Sequence, residues 1–404
     1  MTSVLVSHPH TNANANGAAA AFAGAGRLSA YVTGAAAAAG TYRARQVERL
    51  AKRLPIVANR IVRGIHPQHL WSLGPLELAA RLASRTARRA RLPGPSAYDA
   101  MFTCHDAAVA MLPWPRGVEV VYAYEDGALR TFQRAARRDL RRIWDLPIPH
   151  YATLQRMWID ESRRWPGAMG DGPPLEPDWK RRRKDAELAL ATQVSVPSQF
   201  TRESLESAGV KVPVAVTPFG FPVEEFPAKR ERPSDRFTVI AVGTQDLRKG
   251  TPYLLEAWKR GDLRDARLRL IGPMRLTPAF VAPYAGVFEH LPHVPRVHLG
   301  AEYRGADLLV LPTLGDGCPL VVQEAMCSST PVVTTRCGNG PDCITTGVDG
   351  WVIPERDVDA LVEALRAAHA DRERTFAVGQ AARARAERWT WADAGQSLCR
   401  QLLS

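Results

Sequence analysis

The second half of the chain alternates in a regular rhythm. Short aliphatic runs, Phe237 to Val242, Leu268 to Ile271, Leu308 to Leu311, Pro331 to Thr335 and Trp351 to Ile353, are separated by longer stretches whose apolar residues recur at helical spacing. Runs that are apolar at nearly every position belong to strands buried on both faces, so this half is expected to form a parallel sheet covered by helices. The first half repeats the alternation more loosely. Val4 to Val6 reads as a strand, Gly17 to Gly26 as a helix and Leu28 to Val32 as a second strand. Met101 to Cys104, Val118 to Tyr124 and Val194 to Val196 read as further strands, the last leading into a helix from Ser198. Val214 to Val216 then runs into Thr217-Pro218-Phe219-Gly220-Phe221-Pro222, whose prolines and glycine suit a linker.

These elements predict an α/β chain of two Rossmann-like domains, residues 1–216 and 217–388. A terminal amphipathic helix over 389–404 is expected to cross back to the first domain. Two doubly wound domains in tandem bind ligands in the cleft between the carboxyl ends of their strands. With 404 residues, 46% hydrophobic and 23% charged, the chain has material for two cores, and it is neither disordered nor a disulfide-rich scaffold. It contains no uninterrupted apolar run of about 18 residues, the length that would suggest a membrane span. The first residues lack the positive leader of a secretion signal, so a cytoplasmic protein is expected. The six cysteines contain no C-x-x-C pair and no metal-ligand spacing, and they are expected to be free thiols.

The net charge of +12 is concentrated. Between Thr41 and Ser96 stand Arg43, Arg45, Arg49, Lys52, Arg53, Arg60, Arg63, Arg81, Arg85, Arg88, Arg89 and Arg91, against only Glu48 and Glu77. Apolar residues interleave with them, as in Val47, Leu50 and Leu54 or Leu76, Leu78 and Leu82, the pattern of basic amphipathic helices. An anionic membrane surface, an acidic substrate and a merely solvated arginine-rich face all suit such a segment. Nucleic acid suits it least, because no helix-turn-helix, zinc-finger spacing or aromatic RNA-binding signature accompanies it. The expectation is peripheral contact with the inner membrane face through residues 41–96, and no nucleic-acid partner.

Two segments carry candidate chemistry. Thr313 to Pro331 reads TLGDGCPLVVQEAMCSSTP: Asp316 follows a strand, Gly317 opens a turn, and Glu324 lies within the helix that follows. A strand, a tight turn and a helix N-terminus present free N–H groups to an anion, while the two acids can accept hydrogen bonds from hydroxyls. Gly243 to Gly250 reads GTQDLRKG, and paired Arg248 and Lys249 at a strand's carboxyl end can neutralise a diphosphate. A ligand bearing both phosphates and hydroxyls, such as a sugar nucleotide, fits the pair of segments.

Taken in order, G-x5-K-G, then LIGPM around Gly272, then an acid-x7-Glu element followed by A-M-x3-T-P-V-V, then D-G-W-V-I-P, resemble the nucleotide-sugar domain of the retaining family 4 glycosyltransferases with the GT-B fold. The resemblance covers about residues 190 to 395 well, and the first half only in its strand and loop order. It implies transfer of a sugar from a nucleoside diphosphate to an acceptor hydroxyl with retained configuration, the departing phosphate oxygen taking the acceptor's proton. It implies no metal and no cofactor beyond the sugar nucleotide itself. It sets Glu324 on the ribose, Asp316 on the donor sugar, Arg248 and Lys249 on the diphosphate, and N–H groups near Cys318 and Leu320 on sugar or phosphate oxygens. Gly243, Gly272 and Gly317 complete the donor set.

The chain departs from the family pattern at three positions. Asp316 replaces the commoner Glu, Pro319 stands where glycine is usual and has no N–H to offer, and Thr244 replaces an arginine. These put the identity of the donor in question more than the reaction class. In the first half, Thr103-Cys104-His105-Asp106 is expected to follow a strand, and His105 or Asp106 resembles the polar residue that faces the donor sugar; Asp106 equally suits a helix cap. The loop from His8 to Gly17, with Asn16 and Gly17, is the expected acceptor-binding segment. Asp357-Val358-Asp359 opens a helical pattern, where acids serve as caps, rather than reading as a metal site. Two alternatives remain: a nucleotide-sugar epimerase of the same fold, and a non-catalytic protein that binds sugar nucleotides or nucleic acid.

Overall fold

A computed structural model describes residues 2–51, 60–79, 82, 96–233 and 236–403. Its framework is two parallel sheets. The first contains β1 (Val4–His8), β2 (Leu28–Thr33), β5 (Leu70–Ser72), β6 (Val120–Tyr124), β7 (Arg141–Asp145), β8 (Gln193–Val196) and β9 (Val214–Val216), in the order β5-β2-β1-β6-β7-β8-β9. A short parallel pair, β3 (Ala37–Ala38) with β4 (Ile61–Val62), lies apart from it. The second contains β10 (Phe237–Val242), β11 (Ala266–Ile271), β12 (Glu289–Leu291), β13 (Leu308–Leu311), β14 (Val332–Thr335) and β15 (Trp351–Ile353), in the order β12-β11-β10-β13-β14-β15. Every residue of β1, β6, β10, β13 and β14 is buried, as strands covered on both faces require.

Four local expectations are corrected. Met101 to Cys104 is not a strand; it lies within the helix Ala97–Met111, which starts at a capping box formed by Ser96 and Asp99. The slot beside β1 belongs to β6, and a short apolar run alone cannot tell a buried helix from a strand. Consequently His105 and Asp106 sit on a helix, not in a loop. The first helix spans Ala13–Gly24 rather than starting at Gly17, because the Asn12 side chain accepts from Ala15 N and caps it early. Asn16 and Gly17 are therefore helical too. Arg141–Asp145, not expected as a strand, supplies β7: Ile143 and Trp144 are buried while Arg141 and Arg142 mask the pattern. Of the basic segment, Lys52, Arg53, Arg81, Arg85, Arg88, Arg89 and Arg91 lie outside the described residues.

Between the two sheets the chain crosses twice, and the crossings touch. Phe221 N donates to Trp389 O at 2.9 Å, and the rings of Phe219 and Trp391 stack at 6.0 Å. The helix Trp391–Leu403 then packs on Ala13–Gly24: Trp391 covers Gly17, and Leu402 enters the core that holds Val4 and Phe22. A second tie runs the other way. The helix Tyr151–Arg164 follows β7, yet its Met157 and Trp158 share a core with Phe237 and Leu254 of the second sheet's layer. Its buried Glu161 accepts from Tyr253 Oη at 2.7 Å and from Arg356 Nε at 2.6 Å. All six cysteines are free thiols; Cys104 is exposed, and Cys327, Cys337 and Cys343 are buried. Among the described residues, no helix is long and apolar enough to cross a membrane.

Candidate active site

Each sheet reverses its strand order once, between β1 and β6 and between β10 and β13, and the loops leaving such strands form the ligand crevice of a doubly wound sheet. In the second sheet, Arg248 and Lys249 follow β10 and Asp316 follows β13, so residues 67 and 68 positions apart meet. Gly250 brings the loops together. It caps the helix Thr251–Gly261 with φ at 70°, and a Cβ there would collide with Pro312 O.

Asp316 is the centre of the arrangement. One carboxylate oxygen accepts from the Arg248 guanidinium; the other accepts from Lys249 Nζ at 2.6 Å and Thr313 Oγ1 at 2.8 Å. Arg248 also donates to Gly315 O at 3.0 Å. Burial works to raise the Asp316 carboxyl, but Lys249 and Arg248 outweigh it and hold it at about 2. Asp316 is therefore ionised at any working pH, and the three formal charges sum to +1. Beside them, buried Asp246 accepts from Lys249 N at 2.9 Å and fixes the turn that aims the lysine.

Glu324 is 2% exposed on the helix Leu320–Cys327. It accepts from Tyr303 Oη at 2.8 Å and pairs with Arg296, which also lies 5.1 Å over the Phe226 ring. Gly243 and Gly272 both have positive φ and meet backbone to backbone, since a Cβ on Gly272 would strike Gly243 O. Leu320 begins its helix behind Pro319, and no side chain caps that end. Cys318 Sγ lies 3.1 Å from Asn339 Nδ2.

The first half covers this loop with elements the motifs did not single out. Gly317 sits so tightly beneath Pro147 that a Cβ would overlap Pro147 O, and Leu154 Cδ2 would lie 2.8 Å from a Cβ on Gly315. The segment after β7 therefore meets the loop that carries Asp316. His105 is 2% exposed, with Nε2 3.3 Å from Ser7 Oγ. Burial and the neighbouring His10 depress it to about 3, so it is neutral. Asp106 does cap a helix, though not its own: its carboxylate accepts from Arg130 N and Thr131 N, both at 2.9 Å. Asn16 Oδ1 accepts from Tyr31 Oη at 3.0 Å. At the first sheet's reversal, the loops after β1 and β6 bring His8 and His10 near Phe102, and Glu125 and Asp126 near Lys184. Asp357 caps the helix Val358–Ala370, and no group of three or more metal-ligating side chains occurs among the described residues.

Sequence reasoning missed Thr313, Tyr303, Arg296 and the Pro147 segment. Thr313 opens the very motif that holds Asp316; the others are distant in the chain and carry no local signal.

Two facing Rossmann-like units with a charged crevice between them define the GT-B fold, and solved structures agree over the whole length. Sucrose-phosphate synthase from Thermosynechococcus elongatus superposes with a TM-score of 0.66 at 16% identity, covering 100% of this chain and 99% of that one. The Anabaena protein HepE, in complex with UDP-glucose, does so with a TM-score of 0.63 at 13% identity and full coverage of both chains. More particularly, residues 236–371 match the family model of the glycosyl transferases group 1, in agreement with the glycosyltransferase resemblance drawn from motif order over that stretch. The D-inositol 3-phosphate glycosyltransferase of Corynebacterium kroppenstedtii is 34% identical over 292 residues, 64% of this chain and 62% of that protein. The chain thus spans about three fifths of that relative's length.

Proposed function

We propose that the protein is a glycosyltransferase that moves a sugar from a nucleoside diphosphate sugar to an acceptor hydroxyl with retention of anomeric configuration. The observation that carries the reading is the Arg248, Lys249 and Asp316 cluster at the β10/β13 reversal, where a diphosphate and a sugar hydroxyl find cations and a carboxylate within one crevice. The bond from the anomeric carbon to the diphosphate breaks while the acceptor oxygen attacks the same face. The acceptor proton passes to the departing phosphate oxygen. Arg248 and Lys249 stabilise the charge that develops on the diphosphate, and they do so most strongly in a crevice that excludes water. Asp316 orients the sugar, Glu324 takes the ribose hydroxyls, and backbone N–H groups near Cys318 and Leu320 meet sugar or phosphate oxygens. Gly243 and Gly272 bring their loops together backbone to backbone, and Gly317 lets the Pro147 segment close over the donor loop. His105, expected to face the donor sugar, is buried, and with Asn16 engaged by Tyr31 and Gly17 beneath Trp391 the acceptor reading moves to the His8–Asn12 part of its loop.

An acceptor on an anionic membrane surface extends the reading. Its support is the helix Tyr42–Ala51, where Arg43, Arg45 and Arg49 are exposed together with Tyr42 and Leu50. HepE binding UDP-glucose and a relative named for inositol 3-phosphate give starting points for donor and acceptor. The test is incubation with UDP-, GDP-, ADP- and TDP-sugars, reading nucleoside diphosphate release and, by NMR, the anomeric configuration of the product. Failure to release diphosphate from any donor, with or without acceptors, would sink the proposal. Sedimentation with neutral and anionic liposomes tests the membrane arm, and binding indifferent to lipid charge removes it.

A further inference from the structure

In the first half, the helices Ala97–Met111 and Leu129–Ala136 pack side by side, and a groove of about 530 Å³ opens between them. Arg130, Gln133, Arg134, Arg137 and Arg138 line it, together with Met111 of the first helix. No carboxylate lines it, nor does any residue of the donor crevice.

Two of its guanidinium groups are held in place on one ring. Trp114 is buried and anchored, its Nε1 donating to Val109 O at 2.8 Å, and Arg134 Cζ and Arg138 Cζ lie 4.2 Å and 5.3 Å from its ring centre. Arg134 also donates to Ala110 O at 2.8 Å and to Leu112 O, carbonyls at the end of Ala97–Met111. Arg130 and Arg134 are one helical turn apart, a spacing at which like charges repel. Burial, and then the charge of Arg138, push the Arg134 guanidinium below its ordinary value.

Among the described residues, no carboxylate pairs with any of these four arginines, and Asp139, next in the chain, does not line the groove. The adjoining helix Asp178–Leu190 shows the contrast: its Lys180, Arg181, Arg183 and Lys184 all pair with carboxylates. Like charges are thus gathered here, and fixed by Trp114, without a counter-charge from the protein.

Four uncompensated guanidinium groups select an anion, since a neutral ligand leaves their repulsion in place. Their planar forks suit phosphate and carboxylate oxygens. Charge sets the number of groups: two phosphomonoesters, each about −1.5 to −2 at neutral pH, balance most or all of four positive charges, whereas one phosphate or one carboxylate leaves half or more. Geometry favours phosphate, whose three terminal oxygens let the two guanidinium groups on Trp114 share it. The Gln133 amide adds further N–H donors.

We propose that this groove is an anion site, separate from the donor crevice, which binds a ligand carrying two phosphate groups, one of them seated against Arg134 and Arg138. The proposal uses none of the residues of the transferase reading and stands or falls apart from it. A soluble bisphosphate and a phosphoinositide headgroup, which joins a phosphomonoester to a phosphodiester, offer the same chemistry.

The experiment takes the full chain in the presence of UDP. One arm is calorimetry at low salt with fructose 1,6-bisphosphate, fructose 6-phosphate and citrate; the other is sedimentation with phosphatidylcholine vesicles, with and without phosphatidylinositol 4-phosphate. Saturable binding is expected in at least one arm, and that arm names the source. Binding should be at least tenfold weaker in Arg130→Gln/Arg137→Gln and in Arg138→Gln, and unchanged in Lys249→Ala. Arg130 and Arg137 are exposed, and an unfolding midpoint equal to wild type verifies that the double variant is folded. Citrate or fructose 6-phosphate binding as tightly as the bisphosphate overturns the proposal. So does the absence of binding in both arms, or binding that survives the groove substitutions. Binding lost in Lys249→Ala, or in Arg43→Gln/Arg45→Gln/Arg49→Gln, overturns it as well, by assigning the anion to the donor crevice or to the helix Tyr42–Ala51.

Discussion

Neutralising Asp316 separates its two expected duties, holding the cations and serving the donor. The folded protein holds its carboxyl at about 2 against an ordinary 3.8. The difference of nearly two pH units corresponds to roughly 2 kcal/mol. The side chain is only 10% exposed, so solvent screening removes little of this. The folded value lies below the unfolded one, so the stabilisation is complete above pH 3.8 and is lost as pH falls through about 2. Asp316→Asn should therefore cost about 2 kcal/mol in urea unfolding, by the same amount at pH 6 and pH 8. Nucleotide binding should move in the opposite direction. The local charge rises from +1 to +2, and removing a negative charge about 6 Å from a phosphate relieves about 3 kcal/mol of repulsion at an effective dielectric near 20, less in salt. UDP or GDP should then bind the variant at least about tenfold more tightly, read by calorimetry, while turnover falls at least about a hundredfold. Weaker or unchanged nucleotide binding by a folded Asp316→Asn protein would refute the idea that the diphosphate shares these cations with the carboxylate.

Gly317→Val should raise the KM for the donor with little change in unfolding free energy of the donor half, since its side chain can be accommodated only by moving the Pro147 segment away; an unchanged KM would count against that segment covering the site. Glu161→Gln should destabilise by about 3 kcal/mol, the low end for a broken buried pair, because Arg356 reaches solvent; the check is whether the two halves then unfold in separate calorimetric transitions. Asp145 is pushed up to about 7 by burial, with Tyr122 donating to it, so its contribution to stability is full below 3.8 and lost as pH rises through 7. Asp145→Asn should gain on wild type between pH 5 and pH 8, by at most about 3 kcal/mol in urea unfolding, and a gap that does not change with pH would contradict the buried, protonated carboxyl.

The donor half was legible because its central strands are apolar at every position and its chemistry is local: Arg248 and Lys249 adjoin, and Asp316 follows its own strand. The partners of Glu324 were not legible, since Tyr303 and Arg296 stand 21 and 28 residues away and meet it only across helix packing. The first half misled where composition is ambiguous. Met101 to Cys104 is as apolar as a strand, and only the Ser96 and Asp99 cap makes it a helix. With that correction His105 moved from an expected loop to a buried helical face. Arg141 and Arg142 concealed β7, and with it the segment that closes over Gly317.

The cysteines offer a practical handle. Burial pushes the thiols of Cys327, Cys337 and Cys343 up to about 12, and those of Cys318 and Cys399 upward as well. Only the thiolate reacts, so at neutral pH these five resist alkylation. Cys104 alone among the six is exposed, on the helix that carries His105 inward. The native chain therefore comes with one address for a maleimide fluorophore, on the helix Ala97–Met111 of the first half. Ligand binding can be followed optically at that label without engineering a single cysteine away.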